Sequence, residues 1–380
     1  MKVAIFTQPI KTNYGGILQA FSLQKVIHKL GHDVVTIHVT GHDQYKNFFH
    51  HVLGFLKRLL LKLFFKKNIS IKWNLSIPQA AEEKISCSLR AFSKNNIDLT
   101  EQVKFHQLKK YTFLNDFDAY VVGSDQVWAS NYCPEAFLPF IKGKDKIKIT
   151  YAASSNDKPW YSSYRTRRRC AKLIKSFKAI SVRENALAEA LQQQFAIPAE
   201  VHVDPTMILR PQDYLSCIAL HEETSPVLCS YILDLTPAKA SIEKHIATKL
   251  SLNVKRENAR QKYSLTKQND LDACTYPSID EWLSTYNNCD FIVTDSFHGT
   301  VFAILFNRPF ICLGNKVRGS ARFDTLLGTF GLKDRMISNT TQEEIDRILN
   351  TPIDWERVND ILELERQRGI NYLKENLKDK

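Results

Sequence analysis

The sequence predicts an α/β protein built of two Rossmann-like domains that face one another across a cleft, and three observations carry that prediction. The chain opens with a strand–helix–strand pattern between Lys2 and Val39, the unit from which parallel, helix-covered sheets are assembled. A second alternation of strand and helix patterns restarts at Pro226. In between, several strand patterns end in polar residues, where open α/β sheets hold their ligands. With 380 residues, 44% of them hydrophobic, the chain can bury a sizeable core, and its length favours two domains.

The elements follow in order. "KVAIFTQ" has strand composition, and "NYGGILQAFSLQKVIHKLGH" runs from a loop into an amphipathic helix. In that helix Ile17, Leu18, Phe21, Leu23, Val26, Ile27 and Leu30 recur at helical spacing, with Gly31 as its stop. The loop Asn13, Tyr14, Gly15 and Gly16 suits sugar or phosphate contact, although it matches neither GxGxxG nor a Walker A sequence. "DVVTIHV" is the second strand. A basic amphipathic insertion occupies about residues 44–80. Its stretch "NFFHHVLGFLKRLLLKLFFKKN" is interrupted by Lys57, Arg58 and Lys62, so it falls short of the roughly 20 apolar residues of a membrane span. Residues 48–67 are expected either to lie on an anionic bilayer as a peripheral contact or to pack on their own domain or a second subunit.

"FDAYVVGSDQVWAS" gives a strand from Ala119 to Val122 that runs into a glycine turn bearing Ser124, Asp125 and Gln126. "KIKITYAASS" ends in small hydroxyl residues and "AISVREN" in Arg183 and Glu184, so three consecutive strand ends present polar groups to one cleft. "VHVDPTMILRPQDY" closes the first half, which places an N-terminal domain at 1–210 and a C-terminal domain at 211–350. That second domain reads "PVLCSYILDL" as strand, "AKASIEKHIATKL" as helix and "LNVKREN" as strand. "SIDEWLSTYNNCDFIVTDSFHGTVFAILFNRPFICLG" then reads as helix, strand, turn, helix and strand. Residues 351–380 form a long helix with Trp355, Val358, Ile361 and Leu362 on one face, expected to pack back across the domains.

Composition narrows the function. The opening residues lack the long apolar region and cleavage site of a signal peptide, so a cytoplasmic protein is expected, at most peripheral at the inner face of the membrane. Eight cysteines without a CxxC pair argue for reduced, mostly buried thiols, with no disulfide framework and no metal. The net charge of +12 attracts anions, which leaves nucleic acid, an anionic membrane or a phosphorylated substrate. The block "SSYRTRRRCAKLIKSFK" reads as the solvated face of a helix, and it carries no nucleic-acid-binding signature.

The candidate chemistry centres on "DFIVTDSFHGTVFA". It sets Asp295, Ser296 and His298 directly after a buried strand and before a helix, with Gly299 allowing close backbone approach. A helix N-terminus favours phosphate or carboxylate, and a histidine there can bind the anion or deliver a proton. A lone histidine among apolar residues is more often structural; the TDS flank and the strand–turn–helix context favour the functional role. Arg183 suits bidentate recognition of carboxylate or phosphate, against the plainer reading of an ion pair with Glu184 or another acid. Lys316, Arg318 and Arg322 lie in a glycine-containing loop that can close over an anion or simply be solvated.

"NYGGILQAFSLQ", "FDAYVVGSDQVW", "ISVRE", "VHVDPT", "TDSFHGTVFAILFNRPFI" and "RGSARFDTLL", in this order and spacing, resemble the polysaccharide pyruvyl transferase family over nearly the whole chain. The resemblance implies a two-domain fold like the GT-B glycosyltransferases, with 1–210 on the acceptor side and 211–350 on the donor side. It also implies transfer of pyruvate from phosphoenolpyruvate onto two hydroxyls of a sugar, forming a cyclic ketal in surface or capsular polysaccharide synthesis, with no cofactor. In relatives an arginine after the "SV" strand and the histidine of an "RLH" motif contact the donor, and these match Arg183 and His298. The chain departs at "SFH", where Ser296 stands in place of the arginine; Arg318 or Arg322 can supply that charge. Asp125 or Asp295 is expected to activate the acceptor hydroxyl, the acceptor being a sugar that can be lipid-linked. The alternatives are a GT-B glycosyltransferase using a nucleotide sugar and a non-catalytic carbohydrate-binding protein with a decayed site.

Overall fold

The computed structural model describes residues 1–40, 79–143, 145–155, 164–222, 225–260, 263, 270–314, 319–338 and 341–378, together with 55–56, 59–60 and 62–63. Most of the insertion expected at 44–80, including most of segment 48–67, lies outside the described residues, as do Lys316 and Arg318.

Two parallel sheets organise the chain. The first is formed by β1 (Lys2–Phe6), β2 (Asp33–Thr36), β5 (Ala119–Asp125), β6 (Ile147–Ala153), β7 (Ser181–Val182) and β8 (Glu200–Val201), in the order β2-β1-β5-β6-β7-β8. A short parallel pair, β3 (Val39–Thr40) with β4 (Val103–Lys104), sits beside it. The second sheet has β9 (Val227–Tyr231), β10 (Asn253–Arg256), β11 (Phe291–Thr294), β12 (Phe310–Leu313) and β13 (Met336–Ile337), in the order β10-β9-β11-β12-β13. The register of the central pairs runs Val3↔Ala119 to Phe6↔Val122 and Phe291↔Leu228 to Thr294↔Tyr231. Strands β5, β6, β9, β11 and β12 are buried along their whole length. That is why β5, β9, β11 and β12 read as mostly apolar runs and not as alternating patterns: helices cover both faces of a parallel sheet.

The helices that matter here are α1 (Tyr14–Lys29), α2 (Tyr164–Ile174), α3 (Asn185–Phe195), α4 (Pro237–Leu250), α5 (Ile279–Asn288), α6 (Phe297–Leu305), α7 (Ala321–Phe330) and α8 (Trp355–Asn376). Helix α1 stops where expected: Gly31, at φ +88, donates its N–H to the His28 carbonyl at 2.9 Å, a left-handed closure that glycine adopts without steric cost. Helix α2 carries the basic block, with Cys170 and Ile174 buried and Arg165, Arg168 and Arg169 exposed.

In each sheet the chain steps outward from its first strand and then returns to that strand's other side. The reversal falls between β1 and β5 in one sheet and between β9 and β11 in the other. Crevices at the carboxyl ends of such reversals are where α/β sheets bind ligands. Helices α1 and α6, which follow β1 and β11, touch one another, so the two reversal points meet.

One apolar core runs through both halves. Tyr14, at the start of α1, stacks on Trp282 of α5 with ring centroids 5.5 Å apart and meets Tyr231 of β9 edge-on at 5.8 Å. Its hydroxyl donates to the Pro277 carbonyl at 2.6 Å. A buried aromatic of this kind stabilises by about 1.5–3 kcal/mol, with about 0.5–1.5 kcal/mol more for each well-oriented ring pair. Helix α8 closes the structure from behind by packing on the first domain. Tyr372 Oη donates to the Thr150 carbonyl at 3.0 Å and Arg366 Nε to the Ile208 carbonyl at 2.9 Å. Gly369 is needed for that approach, because a Cβ there would stand 2.4 Å from Tyr151 Oη.

Candidate active site

The carboxyl ends of β5 and β7 and the turn after β8 bring three charges together in a buried position. Arg183, directly after β7, donates from Nη1 to Asp204 Oδ2 at 2.6 Å and from Nη2 to Asp125 Oδ1 at 3.2 Å, and its side chain is 2% exposed. The ion pair weighed in the sequence therefore exists, but with Asp125 and Asp204. Glu184 instead accepts from Ser154 Oγ. Asp125 ends its strand at φ +64, in the left-handed region that aspartate tolerates better than most residues. Backbone strain of this kind is characteristic of functional sites.

Burial acts to raise the pKa of both aspartates, yet both lie below the usual carboxylate range. Arg183, His298 and Arg322 outweigh burial at Asp125. At Asp204 the charges of His298 and Arg183 do so, together with the Thr206 N–H. Burial would lower the pKa of Arg183, but Asp204 and Asp125 raise it. All three groups stay charged, as a buried cluster must when each member is paired.

His298 enters from the other domain. Ser296 is the N-cap of α6, its Oγ accepting from the Gly299 N–H at 3.3 Å. Gly299 lets the first turn sit against β11, since a Cβ there would fall 2.2 Å from Thr294 Oγ1. The next residue but one after the cap, His298, is 5% exposed, and its Nε2 lies 3.5 Å from Asp204 Oδ2. Its Nδ1 edge rests on α1, where a Cβ added to Gly15 would be 2.0 Å away. The position expected to carry arginine is thus a helix cap, which a serine hydroxyl serves well.

Arg322, in the first turn of α7, provides a second cation on the same side. The Gln126 amide pairs donor with acceptor when its oxygen is turned to the guanidinium, accepting from Nη1 at 2.7 Å and Nη2 at 2.9 Å. The Phe297 ring lies 4.3 Å from the Arg183 guanidinium and 5.5 Å from that of Arg322, contacts worth about 0.5–2 kcal/mol each. Arg183, Asp204, Phe297 and Arg322 border a cavity of 190 Å³ whose far wall includes Glu365 and Arg368 of α8.

Several expected site residues do other work. Tyr14 is 1% exposed in the interdomain aromatic cluster, which removes it from any loop that touches substrate. Asp295 is turned away from Arg183: its Oδ1 accepts from the Leu233 N–H at 2.6 Å, and its Oδ2 from the Asp234 N–H at 3.2 Å and Lys239 Nζ at 2.5 Å. Those bonds fix the loop between β9 and α4 and occupy both oxygens of the carboxylate. Ser124 is fully buried, its Oγ donating to the Ala152 carbonyl at 2.8 Å and to Asp204 Oδ2 at 3.2 Å. Asn13 is exposed just before α1, and Gly16 is half-buried beside it. Asp204 and Phe297 were not singled out by sequence. Their signals were the Asp-Pro pair after a strand in "VHVDPT" and the aromatic between Ser296 and His298 in "SFH".

Among the described residues no group of three or more His, Cys, Asp or Glu side chains is placed to hold a metal ion. No described helix is long and apolar enough to cross a membrane. The family model described as polysaccharide pyruvyl transferase matches residues 13–317. No curated protein matches the chain. Among solved structures, the S. aureus MnaA-UDP complex is similar at 14% identity and TM-score 0.51, over 99% of this chain and 96% of that one. A putative UDP-N-acetylglucosamine 2-epimerase from Listeria monocytogenes is similar at 10% identity and TM-score 0.51, over 97% and 94%. At such identities the likeness is one of fold, and the fold is of the GT-B type: two α/β domains with parallel sheets facing a cleft.

Proposed function

The chain belongs to the polysaccharide pyruvyl transferase family, and from that premise we propose that it moves pyruvate from phosphoenolpyruvate onto two hydroxyls of a sugar, forming a cyclic ketal and releasing phosphate. The observation that supports this most is the convergence of Arg183 and His298, from different domains, on the single buried carboxylate of Asp204.

The chemistry asks for a proton donor and for cations. Protonation of the donor's methylene carbon leaves a cationic C2 that one sugar hydroxyl attacks; the second hydroxyl displaces phosphate, and each hydroxyl gives up its proton. His298 delivers the proton or contacts the phosphate. Arg183 and Arg322, both within reach of the Phe297 ring, take the donor's carboxylate and phosphate, so that Arg322 supplies the charge missing at Ser296. Asp125 orients the acceptor hydroxyl as an ionised hydrogen-bond acceptor. The cavity of 190 Å³ bordered by Arg183, Phe297 and Arg322 is of a size for a small anion.

We also propose peripheral contact with an anionic lipid surface, which would bring the site close to a lipid-linked sugar. Leu56, Leu60 and Leu63 are 46, 52 and 64% exposed, at spacings of four and three, amid the sequence charges Lys57, Arg58, Lys62, Lys66 and Lys67.

The test is incubation of the purified protein with phosphoenolpyruvate and lipid- or nucleotide-linked galactose, mannose and N-acetylhexosamine acceptors, followed by phosphate and mass assays. Phosphate release that needs both substrates, lost in His298→Ala, is expected. Turnover of a nucleotide sugar in place of phosphoenolpyruvate would assign the site to glycosyl transfer, and unchanged turnover in His298→Ala would remove His298 from the reaction.

A further inference from the structure

We propose that Asp204 is a positioning residue for the transfer, holding Arg183 of one domain and His298 of the other in a single fixed relation. The inference rests on the pyruvyl-transfer reading above. Asp204 has a fully buried side chain, and its two oxygens do different jobs. Oδ1 accepts from the Thr206 N–H at 3.1 Å and from Thr206 Oγ1 at 2.8 Å, the ordinary capping contact of the short turn Pro205–Met207. Capping needs one oxygen and no charge; serine or asparagine does it equally well.

Oδ2 is the oxygen that capping leaves over. It accepts from Arg183 Nη1 at 2.6 Å and Ser124 Oγ at 3.2 Å, and it faces His298 Nε2 at 3.5 Å. Nε2 of His298 is buried and has no other polar partner among the described residues, so Oδ2, 3.5 Å away, is the polar atom that faces it. The imidazole is thereby set between a carboxylate on its Nε2 side and the Gly15 backbone on its Nδ1 side. Arg183 is aimed in the same way, one amino group on Asp204 and the other on Asp125. Thr206 and Ser124 keep the carboxylate from turning, and with it both groups that the reaction uses.

The experiment compares Asp204→Asn with the parent chain. The substitution preserves shape and the Thr206 cap but removes the charge that holds Arg183 and faces His298. With phosphoenolpyruvate as donor, kcat should fall about 100-fold while KM for the donor stays within about threefold. The loss should not multiply with that of His298→Ala in the double variant. Retention of kcat within about threefold, or losses that multiply, overturns the inference. Should Asp204→Asn fail to fold, Thr206→Val carries the test, with kcat lowered about tenfold expected and unchanged kcat overturning it. A second readout needs no turnover: the imidazole ¹⁵N resonances of His298, identified by their loss in His298→Gln, should move in the folded Asp204 or Thr206 variant. Absence of turnover in the parent chain counts against the pyruvyl reading alone, and unmoved resonances count against Asp204.

Discussion

Gly15 and His298 touch across the domain boundary, with room for a hydrogen and none for a methyl group: a Cβ on Gly15 would stand 2.0 Å from the imidazole Nδ1 and 2.2 Å from Cγ. The first glycine of the pair that opens α1 is thus explained by the residue it faces. Gly15→Ala should push His298 off Asp204 or hold the domains apart, at about 1–3 kcal/mol in stability and a larger share of activity, read by thermal melting alongside phosphate release. Gly16→Ala is the control. Its nearest neighbour would be Asn13 Nδ2 at 3.3 Å, so it should fold as well as the parent and stay active.

Arg322 offers a cleaner probe of donor binding than Arg183. Removing Arg183 strands two buried carboxylates, a loss of about 3–5 kcal/mol that mixes folding with function. Arg322→Ala leaves that pair intact. It should raise KM for phosphoenolpyruvate about tenfold or more, measured in steady-state phosphate release, with a smaller loss of melting temperature than Arg183→Ala. An unchanged KM would take Arg322 out of the donor site.

His202 should make stability depend on mild acid. It is stacked with Tyr151 and Tyr372 at 5.8 and 4.8 Å, and its Nδ1 meets Ser181 Oγ at 2.9 Å. Burial, then Arg368, lowers its pKa from 6.5 to about 4. The folded protein therefore keeps the ring neutral where the unfolded chain takes up a proton. The stabilisation is complete above pH 6.5 and is lost as the pH falls toward 4, by about 3 kcal/mol in all. Urea unfolding at neutral pH and near pH 4.5 should show the fall, and His202→Gln should flatten it. Asp125 and Asp204, whose pKa values are lowered, lose their contribution only below the usual carboxylate value of 3.8, outside this window.

If the exposed leucines of the insertion meet lipid, replacing Leu56, Leu60 and Leu63 together by serine should abolish co-sedimentation with phosphatidylglycerol vesicles and leave binding of water-soluble acceptors unchanged. Co-sedimentation equal to that of the parent would remove the membrane proposal.

Much of this was legible in the sequence. Apolar runs of strand length, such as the one before Asp295, come from strands buried on both faces, and the polar residues that follow them mark the sheet ends. What could not be read was which polar residue faces which. Asp125 and Asp295 both follow buried strands, yet one meets Arg183 and the other is consumed by two backbone N–H groups and Lys239. Tyr14 and Gly15 are neighbours in a loop-like stretch, and only the packing of α1 against α5 and α6 makes the first a core ring and the second a cradle for His298. Those distinctions depend on contacts between residues 56 or more positions apart, about which local spacing carries no information.

Helix α8 has a consequence for how the chain comes off the ribosome. The first domain is translated first, but the wall over Tyr151 and His202 is made of Tyr372 and Gly369, and the Ile208 carbonyl waits for Arg366. That domain must pass the synthesis of the whole second domain with an apolar flank uncovered, a period in which a nascent chain is open to chaperones and to mispairing. The first domain is thus sealed by residues that are made only after the second.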